Sequence, residues 1–484
     1  MKSLNIFRLM MAAGCLAVAG CEQPMARPPV SLAEYQRLSP PNAYPLQTIV
    51  MHNMVRVLDN DLPTPQRLES FRLVAQIGDE DASARKQLAA VLSQPNVPPE
   101  LYQAVLTYLL RKDHPDMAAI VVQALPNLGQ QESVRESLLE WLSRHPQPAV
   151  MSEIVKLWAT EPVQSPTEHR YRQVIERISG KAWADALLDS INTSEFFARG
   201  SALEILIRRV PATQLRQMIL QTPPRSDAMF ALQTFLARMD YMPANAQEFL
   251  AEVYLYMMRR DAVNDVAELW RRWHTDYDYR FNIRDFHLMS QLARDPVRSE
   301  MRRGQLALDI SNALAAHSHV RHKAAGGELY PDNFNAQVDN LSIIDLWNIY
   351  LLNEMLNRPR VQAALRIKAD RSGGNYANWG GLVFYENRQA DAKLYPPQSD
   401  HPTEYIVSRR LIADSRDSLC RFQSHFEQAE NSLRAGPDAD ELRDARQGGH
   451  YGLILTSVGN DAFCGHYYNP RGIVVSLGKY PFRN

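Results

Sequence analysis

The residues of this chain that could do chemistry are few, and most lie toward its C-terminal end. His317, His319 and His322 fall together in the run HSHVRHK, and histidine is a frequent metal ligand. On a helix His319 and His322 share one face while His317 lies round the side, and the first acid downstream is Glu328. That arrangement reads as a solvated polar face rather than a coordination shell. Cys420 precedes His450, His466 and Asn469, an order in which a thiolate could find a base downstream. A reactive thiol needs a setting such as a helix N-terminus to lower its pKa, and Cys420 sits in a strand-like run. Taken singly, His425, His450 and His466 read as ordinary hydrogen-bonded or exposed histidines. Gly373-Gly374 and Gly448-Gly449 lack the Lys and the context of a phosphate loop.

The elements that must position these residues change character along the chain. From about Pro65 to Arg371 the pattern is almost wholly helical. Leu101, Val105 and Leu109 repeat every four residues, and Met151, Ile154, Val155 and Trp158 form another apolar stripe. Breaks such as His145-Pro146-Gln147-Pro148 and Gln221-Thr222-Pro223-Pro224 separate the helices. Helix plus break takes roughly 20 residues, half the roughly 40-residue unit of HEAT-like repeats. No strict sequence repeat accompanies it, so a non-repetitive bundle is the alternative. An array of this kind presents an extended concave surface to a partner. Within it, Trp270, Arg271, Trp273, Tyr277 and Tyr279 are of the types enriched at binding hot spots. The same types also pack between amphipathic helices.

After Arg371 the apolar residues come in short β-like runs. Gly380–Tyr385, Leu419–Ser424, Gly452–Ser457, Ala462–Tyr467 and Ile473–Leu477 read as strands, with a Gly459-Asn460 turn between the third and fourth. Helices fit Glu404–Asp414 and Ala439–Arg446. The expected fold is therefore mainly α: an α-solenoid or HEAT-like helical array over 65–371, then a small α+β domain over 372–484.

This C-terminal order resembles the JAB/JAMM metalloprotease-type fold. Asn378-Trp379-Gly380-Gly381 stands where that family has a Glu two residues before a Gly-Gly strand. Arg421-Phe422-Gln423-Ser424-His425 stands where it has an aromatic followed by His-x-His. Gly436-Pro437-Asp438-Ala439-Asp440 opens a helix where it has Ser-x-x-Asp, and Tyr467-Tyr468-Asn469-Pro470-Arg471-Gly472 is similar to its final turn. The resemblance implies a zinc held by two His and one Asp, with a Glu as base. This chain keeps His425 and Asp440 of that set. Gln423 replaces the other His, Asn378 the Glu and Pro437 the Ser. Two ligands and no base do not make a hydrolase, so the resemblance implies a degenerate module without catalytic residues or cofactor. Glu427, His450 or Asp438 could rebuild a zinc site. The Cys–His–Asn order noted above is similarly that of papain-like peptidases.

At the other end, an apolar segment that opens with Lys2 and Arg8 closes on Val18-Ala19-Gly20-Cys21, the layout of a signal peptide. The run from Ile6 to Ala19 is too short to cross a bilayer core of ~30 Å. With Cys21 directly after Gly20 it resembles the lipobox of bacterial lipoproteins, which implies cleavage after residue 20 and acylation of Cys21. Glu22 rather than an Asp follows the Cys, which favours the outer membrane, facing the periplasm. Residues 21–64 hold Pro24, Pro28, Pro29, Pro40, Pro41, Pro45 and Pro63 and read as a proline-rich tether. Losing Lys2 and Arg8 takes the formal charge from −1 to −3, which leaves no basic excess for nucleic acid. In an oxidising compartment the remaining thiols, Cys420 and Cys464, are read as a disulfide. The expected role is a membrane-anchored scaffold or assembly factor for an envelope protein partner. A metal-dependent hydrolase around His425 and Asp440 is the alternative.

Overall fold

The computed structural model describes residues 28–37, 45–79, 81–94, 97–111, 132–193, 196–321, 331–369, 379–395 and 409–483. The lipobox with Cys21, the histidine at 322, Gly373-Gly374, Asn378 and residues 404–408 lie outside them. The chain divides into two units, Met1–Leu187 and Leu188–Asn484. The change from helix to strand falls well inside the second, between Ala369 and Gly380.

The first unit is built from α1 (Leu32–Gln36), α2 (Leu46–Leu58), α3 (Thr64–Gly78), α4 (Ala82–Ala89), α5 (Pro99–Arg111), α6 (Glu132–Arg144), α7 (Met151–Thr160) and α8 (Glu168–Ser179). Each packs on helices one or two places away in the chain. The proline-rich stretch expected as a tether is folded in both its described parts. Pro45 and Pro63 cap α2 and α3, and Pro65 stands in the first turn of α3. At those positions the missing N–H costs nothing and the fixed φ suits the helix. Further along, Trp158 is fully buried, stacked on Tyr171 with ring centroids 6.0 Å apart and edge-on to Trp183 at 5.3 Å. Arg135 and Glu161 form a shielded ion pair at 2.5 Å.

Helix α9 (Trp183–Thr193) spans the division. The second unit continues with α10 (Phe196–Arg209), α11 (Ala212–Gln221), α12 (Asp227–Met239), α13 (Ala246–Met258), α14 (Ala262–Tyr277), α15 (Phe286–Ala293), α16 (Pro296–Ser299), α17 (Arg303–Ala315), α18 (Phe334–Gln337), α19 (Ile343–Leu356) and α20 (Pro359–Ala369). On α13, Glu252 is fully buried and neither carboxyl oxygen has a partner among the described residues. Burial, with Glu248 beside it, pushes its pKa well above the usual range. The unfolded chain ionises this group as pH rises and the folded chain resists. Glu252→Leu is therefore expected to raise the urea midpoint, more at pH 8 than at pH 5, by removing about 1–3 kcal/mol of unpaired polar burial. A lower midpoint at both pH values would contradict this.

The sheet follows: β1 (Gly380–Glu386), β2 (Gln389–Tyr395), α21 (Arg409–Asp414), β3 (Cys420–His425), α22 (Ala439–Gly448), β4 (Gly452–Ser457), β5 (Ala462–Tyr468) and β6 (Val474–Pro481). The strand order is β2-β1-β3-β4-β5-β6. Only β3 and β4 run parallel among these neighbours, and α22 is their crossover. Leu442 and Ala445 of α22 pack on Ile454, Tyr468 and Val474, while Leu411 of α21 packs on Leu382 and Tyr395. α19 packs against β2 and β6, and α15 against β1. Gly452 lies under the Tyr468 ring, where a Cβ would come within 2.0 Å of the ring. The outer edge of β6 is covered: Lys479 N–H donates to the Ser318 carbonyl at 3.0 Å, and Ser476 N–H to the Asp332 carbonyl at 2.8 Å.

Candidate functional site

The parallel crossover brings the C-terminal end of β3 against the first turn of α22, and there an imidazole meets a carboxyl. Asp438 caps the helix, accepting the N–H groups of Asp440 at 2.9 Å and Glu441 at 2.8 Å, and Glu441 Oε2 accepts the Asp438 N–H at 2.8 Å. This capping box holds Glu441 with its other oxygen 3.9 Å from His425 Nε2. His425 Nδ1 donates to the Arg434 carbonyl at 3.2 Å, which leaves Nε2 as the lone-pair nitrogen facing Glu441. Burial raises the Glu441 pKa to about 7, against the pull of the Asp438 N–H. Burial likewise lowers that of His425, with the Arg434 carbonyl opposing. At 3.9 Å the two groups are electrostatic neighbours beyond hydrogen-bond distance. Glu427 pairs with Arg434 alongside, and its second oxygen is buried without a partner among the described residues.

Asp440 does not belong to this corner. Its side chain is 80% exposed and pairs with Arg443 at 2.7 Å. The expected His425–Asp440 metal pair is thus corrected: the third position of a capping box points back toward the cap, and Glu441 holds that position. Among the described residues no group of three His, Cys, Asp or Glu is placed to hold a metal ion.

The expected disulfide is also corrected, since both Cys420 and Cys464 are free and buried. In the sheet register Arg421 faces Gly452, which faces Tyr468. Cys420 and Cys464 therefore lie five rungs apart on strands separated by β4. That is about 17 Å along the strands and about 10 Å across them, beyond the roughly 7 Å limit between bridged Cα atoms. Burial pushes the Cys420 thiol up, and that of Cys464 to about 12. Both should resist a maleimide reagent in the native protein and react fully in denaturant without reductant. Native labelling at Cys420 would revive its role as a nucleophile.

The histidines downstream of Cys420 are engaged otherwise. His450 is pushed down to about 4 by burial and by Arg421 and Arg284. His466, fully buried, donates from Nε2 to the Val320 carbonyl at 2.9 Å, and its Nδ1 lies 4.0 Å from Cys464 Sγ. Asp332 stands 3.7 Å from His466 and 3.1 Å from His319. His317 packs on Tyr480 with ring centroids 4.3 Å apart. His317 and His319 both follow the end of α17, so neither stands on the helix expected to carry them.

The aromatic and arginine patch does not form one surface. Trp273 and Tyr279 are buried at 3% and 6% exposure and meet edge-on with ring centroids 5.7 Å apart. Trp270 stacks on His274. The Tyr277 hydroxyl accepts the Arg303 N–H at 3.2 Å. Arg271 is exposed. Helical period turns Trp273 into core, and Tyr279, past the left-handed cap Asp278 that ends α14, is buried against it.

Two carboxylates that the sequence reading passed over tie helices to the sheet. Asp285 accepts the Tyr279 hydroxyl at 2.5 Å and the Tyr451 hydroxyl at 3.0 Å. Asp345, near the start of α19, accepts from the Ser342 N–H at 2.8 Å and Oγ–H at 2.6 Å. It also accepts from Tyr467 Oη at 2.6 Å, Asn469 Nδ2 at 3.1 Å and an Arg471 nitrogen at 2.8 Å. One signal was available: Asp345 interrupts the apolar run IIDLWNIYLL. Comparison of the chain with family models, with curated proteins and with solved structures finds no match.

Proposed function

We propose that this chain is a lipoprotein of the bacterial envelope, held through acylated Cys21 at the outer membrane and facing the periplasm. It works there as a non-catalytic protein-binding scaffold or assembly factor. The observation that carries the non-catalytic part is the state of the thiols: both are buried and raised in pKa, the opposite of an activated nucleophile. His425 and His466 each donate one ring N–H to a backbone carbonyl of the chain itself, which supports a structural use of those rings. The resemblance to the JAB/JAMM fold then stands for a degenerate module.

Membrane fractionation with mass spectrometry of the N-terminal peptide tests the anchor. The native protein should sediment with outer membrane and carry acyl mass on Cys21, and Cys21→Ala should move it to the soluble fraction. An unmodified Cys21 thiol would remove the reading. The alternative, a metal-dependent hydrolase, draws on the approach of Glu441 to His425 at 3.9 Å. Stoichiometric zinc in the purified protein, lost on His425→Ala, would favour it.

A further inference from the structure

The first described residues limit how far the body can stand from an anchor at Cys21. Asn53 is fully buried on α2. Its Nδ2 donates to the Pro29 carbonyl at 2.8 Å and to the Ile49 carbonyl at 2.9 Å. Pro29 is itself buried. Helix α1 begins three residues later, with Ser31 Oγ accepting the Glu34 N–H at 3.2 Å and Glu34 Oε2 accepting the Val30 N–H at 2.7 Å. It packs on α3. The backbone is therefore pinned to the first unit over Pro29–Gln36.

Only six residues separate Cys21 from Pro28. A fully extended chain advances at most ~3.6 Å per residue, so Pro28 lies within about 25 Å of the Cys21 Cα whatever path those residues take. A coil running from residue 21 to 64 would instead have an r.m.s. reach of roughly 35 Å and a far larger maximum.

We propose that the edge of the first unit formed by Pro28–Arg37 is a membrane-facing surface, held beside the phospholipid headgroups of the leaflet that takes the acyl chains. The inference rests on acylation of Cys21 and adds where the body sits. Ala33, Gln36 and Arg37 are exposed on this edge. They are small, polar and cationic, types compatible with a headgroup layer that includes anionic lipid. A partner would be met on other faces of the unit.

The test uses the acylated full-length protein in vesicles of phosphatidylethanolamine and phosphatidylglycerol carrying a headgroup-linked energy acceptor. A donor dye goes on Ala33→Cys, since buried Cys420 and Cys464 stay unlabelled. The reference variant carries about thirty Gly/Ser residues inserted after Arg27, which adds roughly 30 Å of r.m.s. reach. Energy transfer in the short-stemmed protein should exceed that of the reference at least about twofold. Equal transfer from two proteins whose intact masses both show acylation would overturn this inference and leave the anchor reading standing. Absence of acyl mass would overturn both.

Discussion

Asp345→Ala is expected to lower the unfolding free energy by about 3–5 kcal/mol, the range for stripping one partner from a buried charged network. The side chain of Asp345 is 2% exposed, and its oxygens gather donors from three separate places. Ser342 lies three residues away, whereas Tyr467 and Asn469 lie more than a hundred residues along, on and just after β5. Tyr467 is fully buried and Asn469 is 1% exposed, so neither finds water when the carboxylate is gone. Arg471 is 56% exposed, and its share of the loss should be small. Asp345→Asn keeps the volume and one acceptor, and should cost less. Urea unfolding followed by tryptophan fluorescence reads both variants. A change below about 1 kcal/mol for Asp345→Ala would show that the network does not hold the sheet to α19.

Asp285 should make stability depend on pH. Burial raises its pKa to about 7, tempered by the Tyr279 and Tyr451 hydroxyls and raised again by Asp345. The folded state keeps this proton where the unfolded chain has already lost it. The stabilisation is therefore full below about pH 4 and disappears as pH rises through about 7. Glu441, also raised to about 7, acts in the same direction. These two carboxyls favour the fold at pH 5 over pH 8, while buried His450 and His425, both lowered, act in the opposite direction, so the variants and not the native protein alone report the effect. Asp285→Asn removes one of these protons, so its cost should be smaller at pH 8 than at pH 5, by on the order of 2 kcal/mol. Denaturant titrations at the two pH values, with Glu441→Gln alongside, make the comparison. A cost for Asp285→Asn that is independent of pH would mean that the carboxyl ionises inside the fold as readily as outside it.

Much of the architecture was legible from pattern. Helical period marked 65–371 as helical and located α5 and α7 there, a helix was fitted over α22, and the strands β1, β3, β4, β5 and β6 were placed within a few residues. β2 was missed because QADAKLY has neither a β-branched run nor a glycine turn before it. Its turn instead places Asn387 and Arg388 at φ of 50° and 62°, a conformation that Asn tolerates and that Arg seldom adopts. The prolines of 21–64 were weighed as helix breakers, yet Pro45 and Pro63 stand at the starts of α2 and α3. His425 was singled out, but its acidic neighbour was placed one residue early: Asp440 and Glu441 are adjacent in sequence and differ only in which way the first helical turn aims them. The tyrosine–carboxylate links could not be read locally. Tyr451 meets Asp285 across 166 residues and Tyr467 meets Asp345 across 122, and no periodicity reports such pairs.

The covering of β6 bears on how the protein behaves at high concentration. An uncovered outer strand is a template on which a foreign strand can add, the first step of stacking into insoluble aggregates. Here the Ser318 and Asp332 carbonyls already occupy the N–H groups of Lys479 and Ser476. Loosening this covering, for instance by shortening the chain between residues 321 and 331, would turn the sheet margin into a nucleus for self-association.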